Sequence, residues 1–275
     1  MFKLKFYFKH IGDQICTTAL PENIFNATGE KCIITDPAIW AFKHNPYVIH
    51  MDESDCPSDA LEINVIPDNR IPDQRQLYLK NTQSQISVGQ TDYMCQNIGI
   101  TEPKLRHPRL YIYEDLEIEP DKIIVNTAGS DRTRDNEPAI RYNFGEDQVR
   151  ILSDDILKQI LHNYKNYRIY QIGSKNDRPL GGHSIDCRGM DYWDSIKEVA
   201  TASRFIGVDS GPRHMASCYP KIDIRVALVQ YPKQTLLSSR PGDINHWLFS
   251  WLDMTHTYFN RYDYDIGYTF SYKKI

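Results

Sequence analysis

No apolar run in this 275-residue chain reaches the ~18 residues that a membrane span needs. The opening "MFKLKFYFKH" has none of the continuous apolar core of a secretory leader. The expectation is therefore a cytoplasmic protein, with room for peripheral contact at the inner face of a membrane. Basic residues are not in excess: the formal charge is -4, without the basic stripe that nucleic acid attracts. The six cysteines, Cys16, Cys32, Cys56, Cys95, Cys187 and Cys218, include no CxxC pair and follow no regular spacing. They read as reduced thiols. Also missing are the HExxH and zinc-ribbon patterns, the GxxxxGK[ST] phosphate loop and the GxSxG nucleophile elbow. Cys32, His44, His50 and Cys56 are near in sequence but match no familiar metal site. No metal and no resident cofactor are expected.

What is there is ordinary for a soluble globular chain: 41% apolar and 25% charged residues. The length allows one large domain or two modest ones. Eighteen tyrosines suit interfaces and sugar-stacking surfaces, and equally ordinary cores. Short apolar runs, "KLKFYF", "KCIIT", "YVIHM", "LEINVI" and "RLYIY", read as strands. Helical patterns run from Gln14 to Ala27, where Pro21 should kink or end the first part, and from Gln90 to Ile98. Residues 52–75 are polar and Pro-rich and read partly as loop.

A second series follows Pro120. "KIIVNTAGS" is a strand into a small-residue loop. "EDQVRILSDDILKQILHNYKN" is helical, with Ile151, Ile156, Ile160 and Leu161 on its apolar face. "YRIYQIGS" is a strand, "YWDSIKEVATAS" a helix, "RFIGVDSGPRHMAS" strand, turn and helix, and "IRVALVQ" a last strand. Strands alternating with helices predict an α/β chain with parallel sheets. The charged "YEDLEIEPD" marks a boundary, giving domains 1–117 and 118–275. The second should close with a helix and the Tyr-rich tail "YFNRYDYDIGYTFSYKKI", which packs back on the first domain, contacts a membrane or binds a partner, packing being the first expectation.

Ligands of open α/β sheets bind at the loops leaving the strands' C-terminal ends. Four such loops pair glycine with polar residues: His10–Asp13, Thr127–Arg134, Gly173–Asp177 and Asp209–His214. Asp13, beside Gly12, is either a helix N-cap or a general base. At an ordinary pKa of about 3.9 it is ionised at neutral pH and able to accept a proton. Thr127–Arg134 offers small residues, Ser130 among them, then Arg132 and Arg134, whose guanidinium groups suit a diphosphate or sit solvated. Gly173 permits close backbone approach, and Asp177 is placed to hold a ribose hydroxyl. Asp209 and Ser210 either cap the helix that begins near Pro212 or, with Gly211, present its N–H groups to a phosphate. His214, one turn in, faces the ligand or packs against the sheet.

Two of these stretches carry more than pattern. "HIGDQICTTALPENI" resembles the N-terminal Gly-Asp and "TTP"-like helix motif of the heptosyltransferase-like glycosyltransferases, family 9. "RFIGVDSGPRHMASCYP" resembles that family's strand–DSG–x–x–His–x–Ala motif. "IIVNTAGSDRTR" and "IYQIGSKND" follow in the expected order, and "GQTDYMCQNIGI" is similar to the helix closing the family's first domain. The resemblance runs from about residue 3 to about 230.

It implies a GT-B architecture, two Rossmann-like domains facing across a cleft, and inverting, metal-independent sugar transfer from a nucleotide-diphosphate donor. It implies Asp13 as base. Gly12, Ser130, Arg132 or Arg134, Gly173, Asp177, Asp209, Ser210, Gly211 and His214 are implied on the donor side. The acceptor would be a glycan, lipid-linked or protein hydroxyl. The chain is shorter than typical members, Ala19-Leu20-Pro21 replaces a tighter "TP" pairing, and arginine stands where heptose-specific members have lysine. These departures bear on the sugar and the acceptor. The rival readings are a nucleotide-sugar epimerase or hydrolase, and a non-catalytic nucleotide-binding protein.

Overall fold

The computed structural model describes residues 1–7, 10–65, 90–129, 151–208, 210–228, 255–260 and 263–271. They form two compact units, one of residues up to Ile112 and one from Tyr113 onward that includes 255–271.

The first unit contains β1 (Phe2–Phe6), β2 (Cys32–Ile34), β3 (Val48–His50) and β4 (Leu61–Val65). These pair in parallel in the order β3-β2-β1-β4. Alternation along β1 buries Leu4 and leaves Lys5 exposed. Among the described residues three α-helices accompany the sheet: α1 (Ile11–Cys16), α2 (Leu20–Thr28) and α3 (Gln90–Asn97). The single helix expected from Gln14 to Ala27 is thus two. The reason is local: the Thr17 and Thr18 hydroxyls donate to the carbonyls of Gln14 (2.8 Å) and Ile15 (2.7 Å). Such bonds compete with helix continuation. Pro21 falls in the first turn of α2, where its missing N–H costs nothing. The helix ends on Gly29 at φ 76°, a left-handed cap that suits glycine.

"RLYIY" is not a strand. Side chains of Thr18 and of Asn23 in α2 hold its first residue and the backbone leading into it instead. The Arg109 N–H donates to Thr18 Oγ1 at 2.9 Å, and those of Lys104 and Leu105 donate to Asn23 Oδ1 at 2.8 and 3.1 Å. Asn23 Nδ2 returns a bond to the Leu105 carbonyl at 2.7 Å. Tyr111 and Tyr113 have φ of 57° and 60°, which no extended strand accommodates.

The second unit holds β5 (Glu119–Asn126), β6 (Arg168–Gln171), β7 (Ile185–Asp186), β8 (Ala202–Gly207), β9 (Asp223–Leu228), β10 (Thr255–Asn260) and β11 (Asp263–Ser271). Their order is β11-β10-β9-β8-β5-β6-β7. All neighbours are parallel except β10 with β11. The described residues of the Tyr-rich tail lie in β10 and β11. Its strands extend the second sheet, because the backbone of β10 completes the ladder of β9. The expected C-terminal helix lies outside the described residues.

Helices α4 (Asp154–Asn163), α5 (Tyr192–Ala200) and α6 (Gly211–Ala216) join this sheet. Ser153 caps α4 by accepting the Ile156 N–H at 3.3 Å. Ile151 is thus outside the helical face expected for it, and bridges to Ala128. Ile156 and Ile160 are fully buried against Ile123, Val125, Ile169 and Ile206. Ala202, expected in the preceding helix, starts β8.

Topology points to where each sheet would take a ligand. From β5 the chain moves outward through β6 to β7, then returns to the other side of β5 to lay down β8 and β9. The strand order reverses between β5 and β8, and in the first sheet between β1 and β4. The crevice outside the C-terminal strand ends at such a reversal is the ligand position of open α/β sheets.

Candidate functional site

At the reversal of the second sheet stands Asn126, the last residue of β5. It follows the buried run Lys122–Val125 and is itself fully buried. A buried amide must have its hydrogen bonds met. Asn126 meets them by linking neighbouring turns. Its Nδ2 donates to the Ile172 carbonyl after β6 at 3.3 Å, and its Oδ1 accepts from the Ser210 hydroxyl after β8 at 2.7 Å. Two glycines stand beside it. A Cβ on Gly207 would stand 2.8 Å from the Asn126 carbonyl oxygen, and one on Gly173 would stand 2.9 Å from Asn126 Nδ2. The end of β5 and the turns after β6 and β8 thus meet at one side chain.

Gly173 opens the second of these turns at φ 139°, a conformation that favours glycine. Its missing Cβ also leaves room for Asp177, whose Oδ2 would lie 2.2 Å from it. Asp177 is only 8% exposed. Its Oδ2 accepts the Ser174 N–H at 2.9 Å, while its own N–H donates to the Ser174 carbonyl at 2.9 Å. Burial pushes its carboxyl up to about 6, against the opposing pull of the Ser174 N–H and the Arg188 guanidinium. Arg188 donates Nη1 to the Asp177 carbonyl and grips Asp186 through Nε (2.8 Å) and Nη2 (2.7 Å). Beside the turn, Gln171 Nε2 donates to Thr127 Oγ1 at 3.0 Å and to the Arg178 carbonyl at 2.7 Å.

Ser210 occupies the N-cap position of α6, yet its side chain makes no cap bond. The hydroxyl is turned to Asn126 and the Val208 carbonyl instead. The capping alternative for Ser210 is thereby removed. Gly211, the first residue of α6, and His214 are both partly exposed, and Arg213 between them is fully buried. Ser130, Arg132, Arg134 and Asp209 lie outside the described residues.

In the first unit the cap alternative for Asp13 also fails. His10 is the N-cap residue of α1, and Asp13 lies within the first turn. A carboxylate there is favoured by the helix dipole. Gly12 and Asp13 are both partly exposed. Gln14, next along, is fully buried. Its Nε2 donates to the Ala38 carbonyl at 3.1 Å, and its Oε1 accepts the Ala41 N–H at 3.3 Å, which fixes the loop after β2. The rest of the "TTALPENI" motif builds structure: Glu22 accepts the Tyr111 hydroxyl at 2.6 Å, beside the Thr18 and Asn23 bonds already described.

Asn126, Gly207 and Arg188 were not singled out by the sequence reading. The available signal was an amide closing the apolar run "IIVN", which has to be bonded at full burial. Among the described residues, no group of three or more His, Cys, Asp or Glu is placed to hold a metal ion. No described helix is long and apolar enough to cross a membrane.

No protein-family model and no curated protein matches the chain in sequence. Solved structures match it in fold. A glycosyltransferase family 9 protein from Veillonella parvula has TM-score 0.57 and 13% identity over 82% of this chain and 79% of that one. The iron-containing dodecameric glycosyltransferase TibC of enterotoxigenic E. coli has TM-score 0.56 and 14% identity. That match covers 82% of this chain and 57% of TibC, so the chain spans little more than half of TibC's length. The E. coli heptosyltransferase WaaC, solved with ADP, has TM-score 0.52 and 10% identity over 82% of this chain and 87% of that one. The fold of this chain, two α/β units on parallel sheets, is that of heptosyltransferase-like glycosyltransferases of family 9, the GT-B fold.

Proposed function

We propose that the protein is an inverting glycosyltransferase. It moves a sugar, a heptose being one candidate, from a nucleotide-diphosphate donor to a hydroxyl of a glycan, lipopolysaccharide-type or protein acceptor. The observation that carries this reading is the meeting of the turns after β6 and β8 on Asn126, the last residue of β5, where the second sheet's strand order reverses. Fold likeness to glycosyltransferases supplies the reaction class.

In this reading the second unit takes the donor. Gly173, Ser210 and Gly211 let the nucleotide approach the backbone, and Asp177 holds the turn beside the ribose. Ser130, Asp209 and His214 complete the donor side. Arg132 or Arg134 pairs with the diphosphate. Asp13 of the first unit, beside Gly12, accepts the acceptor hydroxyl's proton as its oxygen bonds to the anomeric carbon. The bond from that carbon to the diphosphate oxygen breaks on the opposite face, and the electron pair leaves with the diphosphate. Arginine and backbone N–H groups stabilise the charge that develops there.

The reading uses no metal at the donor, so turnover should survive excess chelator. Loss in chelator with recovery on magnesium or manganese would overturn that part. The primary test is a mass-spectrometric screen of nucleotide sugars against glycan, lipid and protein acceptors. The expected result is an acceptor gaining one sugar of inverted configuration. Donor consumed without acceptor would make the protein an epimerase or hydrolase. Nucleotide bound without turnover would make it a binding protein.

A further inference from the structure

We infer that Asn126 is the positioning residue of the donor site, setting the turns after β6 and β8 relative to each other although it is fully buried. The donor part of this inference rests on the function proposed above. Three observations point to it. First, the two polar ends of the amide are divided between different turns: Nδ2 to the Ile172 carbonyl at 3.3 Å and Oδ1 to the Ser210 hydroxyl at 2.7 Å. Second, glycines flank it where any side chain would collide. A Cβ on Gly207 would stand 2.8 Å from its carbonyl oxygen and 3.1 Å from its own Cβ, and one on Gly173 would stand 2.9 Å from its Nδ2. Third, the Ser210 hydroxyl makes no cap bond to α6, so its orientation is set by Asn126 and the Val208 carbonyl. The backbone ladder cannot do this work. The strand ladders end at Gln171 in β6 and Gly207 in β8, before the turns begin. Beyond those points the asparagine side chain joins the turn that carries Gly173 and Asp177 to the turn that carries Ser210 and Gly211. A residue in that role governs how well the turns fit a nucleotide without touching it.

The inference is tested on the full chain with Asn126→Ala, Ser210→Ala and the double variant. The first readout needs no ligand. Segment-resolved hydrogen exchange on Asn126→Ala should show the Ser174, Asp177 and His214 amides losing protection together while β5, β6 and β8 keep theirs. The second readout is affinity for ADP, used as probe, with the KM and kcat of whichever donor the screen identifies. Leaving a buried polar group unpaired is expected to weaken ADP binding about tenfold, to raise donor KM and to leave kcat nearly unchanged. Ser210→Ala should weaken it less, and the double variant should be no worse than Asn126→Ala alone. If Asn126→Ala does not fold, Ser210→Ala still reports on the link through exchange at Ser174 and Asp177. Unchanged exchange in the turns, or purely additive losses in the double variant, would overturn the coupling. Coupled exchange in a wild-type chain that binds no nucleoside diphosphate would sustain the coupling and overturn the donor role, and with it the function proposed above.

Discussion

A buried carboxyl weakens a fold by as much as its ionised form is disfavoured there. For Asp177 the folded value is raised to about 6, with burial as the main cause. Below pH ~4 the group is protonated in both the folded and the unfolded chain and changes nothing. Between ~4 and ~6 the unfolded chain ionises first, so stability falls as pH rises. Above ~6 the cost is constant and no more than about 3 kcal/mol. Asp177→Asn keeps an oxygen for the Ser174 N–H and removes the charge. It should raise Tm at pH 7, and flatten the dependence of Tm on pH between 4 and 6. Equal pH profiles for the two proteins would show the carboxyl to be solvated. Asp13→Asn belongs to the same scale but to the other unit. Loss of a general base should cut transfer ~100-fold or more, with ADP affinity unchanged by calorimetry. A near-normal rate would remove Asp13 from the chemistry. The sequence singled out both residues as candidates because glycine and a carboxylate coincide after strand-like runs. Asn126 was harder to single out, since its importance lies in two turns that the fold brings to the end of β5, and no spacing along the chain encodes that.

Elements were legible where burial alone decides them and misread where side chains bind the backbone. The apolar runs of β1, β2, β4, β5 and β8 announced strands, and the spacing of Ile156 and Ile160 announced α4. "RLYIY" has the same composition as those strands, but Thr18 and Asn23 already hold the backbone leading into it. Hydroxyl and amide bonding at Thr17 and Thr18 likewise divides what periodicity joins. A prediction follows from this use of α2. Asn23 is buried and makes two bonds to segment 104–105 through its Oδ1 and one through its Nδ2. Asn23→Ala would leave backbone groups unmet and should cost about 1–3 kcal/mol of stability in denaturant titration. ADP affinity should not change. If ADP affinity falls while stability holds, the motif serves ligand binding, not the anchoring of that segment.

At the scale of the whole molecule, strand–helix alternation in two successive series foretold two α/β units. The C-terminal hairpin was not foretold, because its tyrosine-rich alternation suits any half-buried surface and names no partner. Its place in the second sheet has a measurable consequence. β10 pairs with β9 over five residue positions from Ile224 to Leu228, so a chain ending at Met254 would leave the backbone groups on that edge of β9 unpaired. Such a chain should lose stability in the second unit while the first keeps its own. On the proposed function, ligand should act on the same unit with opposite sign. A nucleoside diphosphate held at 100 times its Kd stabilises the unit that binds it by about 2.7 kcal/mol. For a unit of this size that amounts to a rise in Tm of roughly 5–15 °C. Segment-resolved exchange during heating separates the two units. With ADP present, β5, β6 and β8 should melt later and β1, β2 and β4 should not shift; in the truncated chain the second unit should melt earlier. Equal protection of both units by ADP would mean that the donor is not held by the second unit alone. Loss of β1–β4 protection on truncation, with the second unit unaffected, would mean that the hairpin supports the first unit and does not pair with β9.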